Sequence, residues 1–279
     1  MAISVEKLGT VYPEQVDEID GDRARAYAAA TNDDNPAYAS GRYAPPVFAV
    51  VPAWSALLGV VGDNVAPEAV MMTVHGEQDM HFAKPLVPGT KMRTTGEAFT
   101  VRVSPSGTRF TVRTRSLDDA TNDLLVEQYI TMFIRGLADG ESAGPDKPDH
   151  TFPDAARANP VGEFAVHVDD DQTFRYRDAS GDNMPIHVDD DFAKQVGLPG
   201  IIAHGLCTMA MTSQAVLSLV ADSDPARLRR LAVRFAKNVF PGNDVVTTVY
   251  RGEARGVFPL EAHSAGDLVI SNGLAEVTT

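Results

Sequence analysis

The chain has 279 residues, 44% hydrophobic and 22% charged, a balance that fits one large globular domain or two of ordinary size. Its 38 acidic against 24 basic residues give a net charge of −14, which excludes general nucleic-acid binding because a phosphate backbone would be repelled. The single cysteine, Cys207, excludes an intramolecular disulfide and a cysteine metal cluster. No apolar run reaches the ~20 residues of a membrane helix, and Met1–Glu6 lacks the basic-then-apolar pattern of a secretory signal, so the expectation is a cytoplasmic protein with no membrane partner.

The first element of note runs from Tyr27 through Thr31, Asp33, Asn35 and Pro36 to Tyr38, a helical segment ending in a turn. Ala44-Pro45-Pro46-Val47-Phe48 then leads into an apolar helix. His75 and His81 flank Gly76–Met80 in an alternating stretch, and no further His or Cys completes a metal spacing, so both read as strand residues. Phe110–Arg115 alternates as a strand. From about Leu137 to Val161, six Gly and Pro residues (Gly140, Gly144, Pro145, Pro148, Pro153, Pro160) interrupt a stretch without apolar period. That stretch reads as a connector, 137–161, between units at 1–136 and 162–279.

The second unit carries the chemistry. Ser180-Gly181-Asp182-Asn183-Met184-Pro185-Ile186-His187 offers an acid and a base five positions apart, a spacing that does not share a helix face. Gly181, Asn183 and Pro185 predict a bent loop instead, which can fold the imidazole back toward the carboxylate. Asp189, Asp190 and Asp191 open a short helical segment ending near Gly197, where acids suit the N-terminal dipole. Gly200-Ile201-Ile202-Ala203-His204-Gly205-Leu206 then runs into a long apolar helix ending near Val220. Gly205, at that helix start, can present a bare backbone N–H to an oxygen anion. Carboxylate, imidazole and oxyanion donor together are what adding water across a polarised double bond requires. Cys207 and Ser213 lie on the apolar helix, and Ser213 has no strand-turn-helix elbow to make it a nucleophile.

Arg227–Lys237 holds five basic residues and no acidic one. It reads either as a solvated helix end followed by an edge strand, or as a site where Arg230, Arg234 and Lys237 hold phosphate groups. Val245–Tyr250 alternates as a strand.

The two units repeat. Tyr27…Asp33…Pro36…Tyr38 aligns with Tyr176…Asp182…Pro185…His187 at a constant offset of 149. Phe82-Ala83-Lys84…Pro88-Gly89 aligns with Phe235-Ala236-Lys237…Pro241-Gly242 at an offset of 153. Each copy then has a helical segment, a turn, an apolar helix and alternating strands, an α+β layer of one long helix on an antiparallel sheet. The first copy has Tyr38 in place of His187 and Ala44–Phe48 in place of Ala203-His204-Gly205-Leu206, so a single active site is expected, in the second copy.

The ordered set Tyr176, Arg177, Ser180, Gly181, Asp182, Pro185, Ile186, His187, then His204, Gly205 and Leu206, resembles the MaoC-like dehydratase and type 2 (R-specific) enoyl-CoA hydratase family. Met184 stands where the family usually has Asn. The resemblance implies a double hotdog fold in one chain, two antiparallel sheets joined edge to edge, each wrapping a central helix. It implies reversible hydration of a trans-2-enoyl thioester to a (3R)-3-hydroxyacyl thioester. Asp182 and His187 would hold the water and Gly205 N–H the carbonyl, with His204, Met184, Arg230, Arg234 and Lys237 contacting substrate. No cofactor is implied beyond coenzyme A as part of the substrate; an acyl carrier protein is the other possible carrier, and a homodimer the expected assembly. Alternatives are a hotdog acyl thioesterase, separated by release of free thiol, and a catalytically silent acyl-binding subunit.

Overall fold

Two apolar stretches of small residues form the central helices around which the strands wrap. In the computed structural model, residues 3–70 and 72–278 are described; Met1 and Ala2, at the head of the segment inspected for a signal, lie outside them. The first half contains β1 (Gln15–Glu18), α1 (Gly21–Ala30), α2 (Pro36–Ala39), α3 (Val50–Asn64), α4 (Pro67–Val70), β2 (Thr73–Phe82), β3 (Lys91–Ser104), β4 (Gly107–Asp118) and β5 (Leu124–Arg135). The second contains β6 (Pro160–His167), α5 (Gln172–Ser180), α6 (Asp190–Gln195), α7 (Gly205–Val220), β7 (Leu228–Phe235), β8 (Asp244–Tyr250), β9 (Val257–Ser264) and β10 (Asp267–Val277). The ten strands form one antiparallel sheet in the order β1-β3-β4-β5-β2-β7-β10-β9-β8-β6, five from each half.

Burial explains the helices. α7 buries Leu206–Leu217 without interruption, and α3 packs against β1, β3 and β4. The stretch Pro46–Asn64 is apolar enough by length and composition to cross a membrane (mean hydropathy 1.5), yet here it is the core helix of the first half. Gly96 lets it approach, since a Cβ there would meet Ala56 O at 2.8 Å.

The halves meet as isologous partners would. β2 pairs with β7 through Asp79↔Ala232, and these two positions are themselves related by the 153-residue offset, so a local two-fold axis passes through that pair. The same axis brings Tyr27 Oη within 3.0 Å of Tyr176 Oη, residues 149 apart, where α1 packs on α5. β7 is therefore a central strand, and the alternative of an edge strand for Arg227–Lys237 is corrected.

Arg230 is corrected with it. Its Nε and Nη2 donate to Asp79 Oδ1 and Oδ2 at 2.9 and 2.8 Å, Nη1 donates to Glu276 at 3.2 Å, and Nη2 also donates to Asp149 O at 2.9 Å. A guanidinium so committed and 8% exposed is a seam residue, with no donor face left for a phosphate. Burial pushes the Asp79 carboxyl up, but His81 and Arg230 beside it hold it below the usual carboxylate range. The connector closes over the same face: Lys147 pairs with Glu77 at 2.8 Å, and His150 Nδ1 donates to Asn272 O at 2.7 Å.

Asp79→Ala strands a buried guanidinium and is expected to destabilise the fold by about 3–5 kcal/mol. Asp79→Leu with Arg230→Met should recover most of that loss, because the uncompensated charge is gone. Urea denaturation midpoints of the two variants decide it; equal losses would make the pair incidental.

Candidate active site

Helix α5 ends on Gly181, whose φ of +85° is the left-handed cap that glycine adopts without strain, with its N–H on Arg177 O at 2.8 Å. From the other half, Arg23 donates to Ala179 O at 2.9 Å and Ser180 O at 2.8 Å, satisfying carbonyls at the helix end. Asp182 N–H donates to Ser180 Oγ at 3.1 Å, Asp182 Oδ1 accepts from Met184 N–H at 3.1 Å, and a 3-10 turn over Pro185–His187 brings the imidazole round. The expected bent loop is what forms. One ligand atom from each of Asp182, His187 and His204 lies within 4.8 Å of the others.

Two hydrogen bonds set the tautomers. Ile202 O is an acceptor only, so His187 Nδ1, 2.8 Å away, carries the proton and Nε2 keeps its lone pair. Likewise His204 Nε2 donates to Asp182 O at 3.1 Å, and the ring stacks on His187 with centroids 3.8 Å apart. Tyr176 packs behind it at 4.8 Å. Burial lowers the His187 pKa, more than the Ile202 carbonyl and Asp182 raise it. Burial, with His187 alongside, lowers His204 to about 3. Both rings are thus neutral near pH 7; His187 offers a base at Nε2, and His204 orients the turn that bears Asp182.

His204 is also the residue before α7, and Gly205 is that helix's first residue. Its N–H belongs to the first turn, where no intrahelical acceptor exists, and it points along the positive end of a sixteen-residue helix. A Cβ at Gly205 would lie 3.3 Å from the Phe235 ring, so glycine keeps this approach open. Asp182 and His187 thus lie together with His204, the residue that precedes Gly205.

The other candidates divide. Met184 is 46% exposed at the rim of the turn. Its counterpart Asn35 shows what the usual side chain does: Asn35 Oδ1 accepts from Ala37 N–H at 2.9 Å and Nδ2 donates to Ser223 O at 2.8 Å. The Asn caps its turn, a role Met184 leaves unfilled. Arg234 is exposed on β7 and forms no ion pair among the described residues, whereas Lys237 is paired with Asp267. His75 is a strand residue of β2, as the sequence predicts. A bulge between His75 and Glu77 in β2 breaks the two-residue alternation, and the His75 ring packs 5.0 Å from Phe235, close enough to Asp182 to feel its charge. Burial pushes it down to about 4. Gly76 was the available signal.

The first-half turn is stripped, as expected. Burial raises Asp33 to about 6, Tyr38 occupies the imidazole position, and Pro45–Pro46 lead into the helix without a free N–H. A groove of about 720 Å³ opens there, lined by Asp33, Asn35 and Tyr38 and by His167 of β6.

The MaoC like domain description matches residues 152–272, and the MFE-2 hydratase 2 N-terminal domain matches residues 39–136. A 3-hydroxyacyl-thioester dehydratase Y of Mycobacterium tuberculosis is 34% identical over 222 residues, 77% of this chain and 74% of that protein. A probable enoyl-CoA hydratase 2 of Dictyostelium discoideum is 27% identical over 207 residues, 74% of this chain and 70% of that protein. Peroxisomal multifunctional enzyme type 2 of Mus musculus is 29% identical over 216 residues, but the match spans 27% of its length. Among solved structures, a MaoC-like dehydratase from Phytophthora capsici superposes with a TM-score of 0.86 at 23% identity over 99% of both chains. A Mycobacterium tuberculosis protein described as a double hotdog fold gives 0.59 at 14% identity, over 97% of this chain and 96% of that one. These superpositions establish the expected double hotdog architecture.

The tautomer and burial of His187 generate a titration. Protonation at Nε2 abolishes the acceptor, and a lowered pKa keeps the neutral ring present as pH falls through the ordinary imidazole range. The His187 Cε1–H resonance is expected to titrate with a midpoint below 6.5; a midpoint at or above it would contradict the assigned environment.

Proposed function

The chain belongs to the MaoC-like dehydratase family, and from that membership and the geometry of its second-half turn we propose a hydro-lyase that hydrates trans-2-enoyl-CoA reversibly to 3-hydroxyacyl-CoA. The observation that supports the reading is His187, its Nε2 left unprotonated and its ring within 4.8 Å of the Asp182 carboxylate, with the helix N-terminus at Gly205 following His204.

Water sits between Asp182 and His187. Its oxygen bonds to C3 as His187 Nε2 takes one proton, and the C2=C3 electron pair moves toward the thioester carbonyl. Gly205 N–H, fixed at the helix end, donates to the carbonyl oxygen as its charge grows, a contact of the kind worth about 3–4 kcal/mol of barrier. The imidazolium formed is stabilised by the Asp182 charge and returns its proton to C2. The sum is H–OH across the double bond, with no redox change and no group left on the protein. His204 acts through Asp182, holding its backbone carbonyl and stacking on the base, and is a positioning residue.

The family supports the (3R) product, which an (S)-specific 3-hydroxyacyl-CoA dehydrogenase would leave unoxidised. Coenzyme A is the proposed carrier because Arg229 and Arg234 are exposed on β7, the strand that leads to Phe235 and the site. The unpaired edges of β1 and β6 are the proposed surfaces for a homodimer.

Crotonyl-CoA should lose its conjugated enoyl absorbance on mixing with the protein, without free thiol. Asp182→Asn and His187→Ala should each slow that loss by about 10²–10⁴-fold with the fold retained. Thiol release would convert the reading to a thioesterase. A folded protein inert toward both crotonyl-CoA and a crotonyl carrier-protein thioester would leave a silent acyl-binding subunit.

A further inference from the structure

Both halves build the groove beside the first-half turn. Ala28 and Ala29 of α1, with Asp33 and Tyr38, line one part of it; Phe164, Val166 and His167 of β6 line the other. At about 720 Å³ it has room for an acyl group and the start of a thioester arm. The repeat relates these walls to the catalytic turn. Asp33 corresponds to Asp182 at the 149-residue offset, and His167 of β6 to Glu18 of β1. The strand register agrees, because His167 pairs with Asp244 and Glu18 with Lys91, positions themselves 153 apart.

The carboxyl is held in both copies by the same contact. Asp33 Oδ1 accepts from Asn35 N–H at 3.1 Å, and Asp182 Oδ1 accepts from Met184 N–H at 3.1 Å. The second oxygen of Asp33 has no partner among the described residues. Asp33 is half-buried against the groove, and burial raises its carboxyl to about 6. Behind it, the Tyr38 hydroxyl lies close enough to feel the Asp33 charge and is buried without a hydrogen-bond partner among the described residues. An Asn in place of Asp33 would keep the Asn35 contact and avoid the cost of desolvating a carboxylate. The acid is thus more than the turn requires.

The strand wall has changed as well. Where β1 has Gln15 and Asp17, β6 has Phe164 and Val166, which gives the groove an apolar side. A polar pair at one end of an apolar groove suits a hydroxyl on a hydrocarbon chain. At the catalytic turn, the oxygen beside the carboxylate begins as water and ends as the 3-hydroxyl of the product. The corresponding carboxyl of the first half is set to meet the same hydroxyl. Tyr38, however, stands where His187 has its free imidazole nitrogen, and burial pushes the phenol well above its usual pKa. Such a phenol takes no proton near neutral pH, so binding there leads to no chemistry.

We propose that this groove is a second, non-catalytic binding site for a 3-hydroxyacyl thioester, its hydroxyl donating to Asp33 and its chain lying along Phe164 and Val166. The inference rests on the hydratase reading above for the identity of the ligand.

The test is equilibrium dialysis of 3-hydroxybutyryl-CoA, and of a longer 3-hydroxyacyl homologue, against the protein. Dialysis counts bound thioester whether or not it has been dehydrated. Two molecules per chain are expected at saturation. Asp33→Asn keeps an acceptor for Asn35 N–H but removes the carboxylate, and Ala29→Trp, at an exposed helix position, fills the groove. Each should weaken one of the two sites by about tenfold or more, leaving the catalytic-turn site as the internal measure of folded protein. Butyryl-CoA, which lacks the hydroxyl, should bind the groove about tenfold less tightly. One molecule or none per chain in the wild-type protein would overturn the site. So would two molecules of which neither responds to the variants, since the second would then lie elsewhere. Hydration of crotonyl-CoA is read separately: its absence sinks the hydratase reading, whereas the count of bound thioester decides the groove.

Discussion

The antiparallel pairing of β2 with β7 is the constraint from which the rest of the molecule follows. It places the two-fold axis at Asp79↔Ala232, and everything near that axis belongs to both halves. On the outer face it concentrates charge, with Asp79 and Arg230 paired across the seam and the connector laid over Glu77 through Lys147 and His150. On the inner face it sets Phe235 of β7 beside His75 of β2, and Phe235 is also the ring against which Gly205 rests. Shift this register by one residue and the outward charges would turn into the core, so the seam fixes the site as firmly as it joins the sheet.

Built this way, the reactive turn is not the property of one half. Arg23 of α1 holds the last carbonyls of α5, Tyr27 meets Tyr176, and Tyr176 packs on His204. A chain of contacts thus runs from the first half to the ring that orients the base. Removing the first copy would expose those carbonyls and the Tyr176 hydroxyl, which is why a copy with no imidazole of its own is still required.

Much of this was legible in the residues. The repeat, the bent loop from Gly181 to His187, the helix beginning at Gly205 and the stripped first turn are all local signals, set by glycine, proline and apolar period. What escaped were relations across the seam. Arg230 reads as a free cation until Asp79, 151 positions away, takes both its forks. His75 reads as an ordinary alternating strand residue, because a bulge is a property of two paired strands and leaves only Gly76 as its trace. Met184 stands in the sequence without a partner for comparison, whereas its counterpart Asn35 caps its own turn through Ala37 N–H and Ser223 O. In each case the missing information was a partner, not a propensity.

Duplication within one chain explains why these asymmetries could accumulate. In a symmetric dimer of identical subunits, every substitution lands in both copies, so a residue that widens one acyl cleft also loosens the core behind the other catalytic turn. Once the copies are covalently joined, each position can answer to its own side of the axis. The second half then keeps Leu228 and Leu231 as buried packing, while the corresponding first-half positions carry His75 and Gln78. A single site, with its chemistry in one copy, is the arrangement that such a sheet permits and a dimer of equal subunits does not.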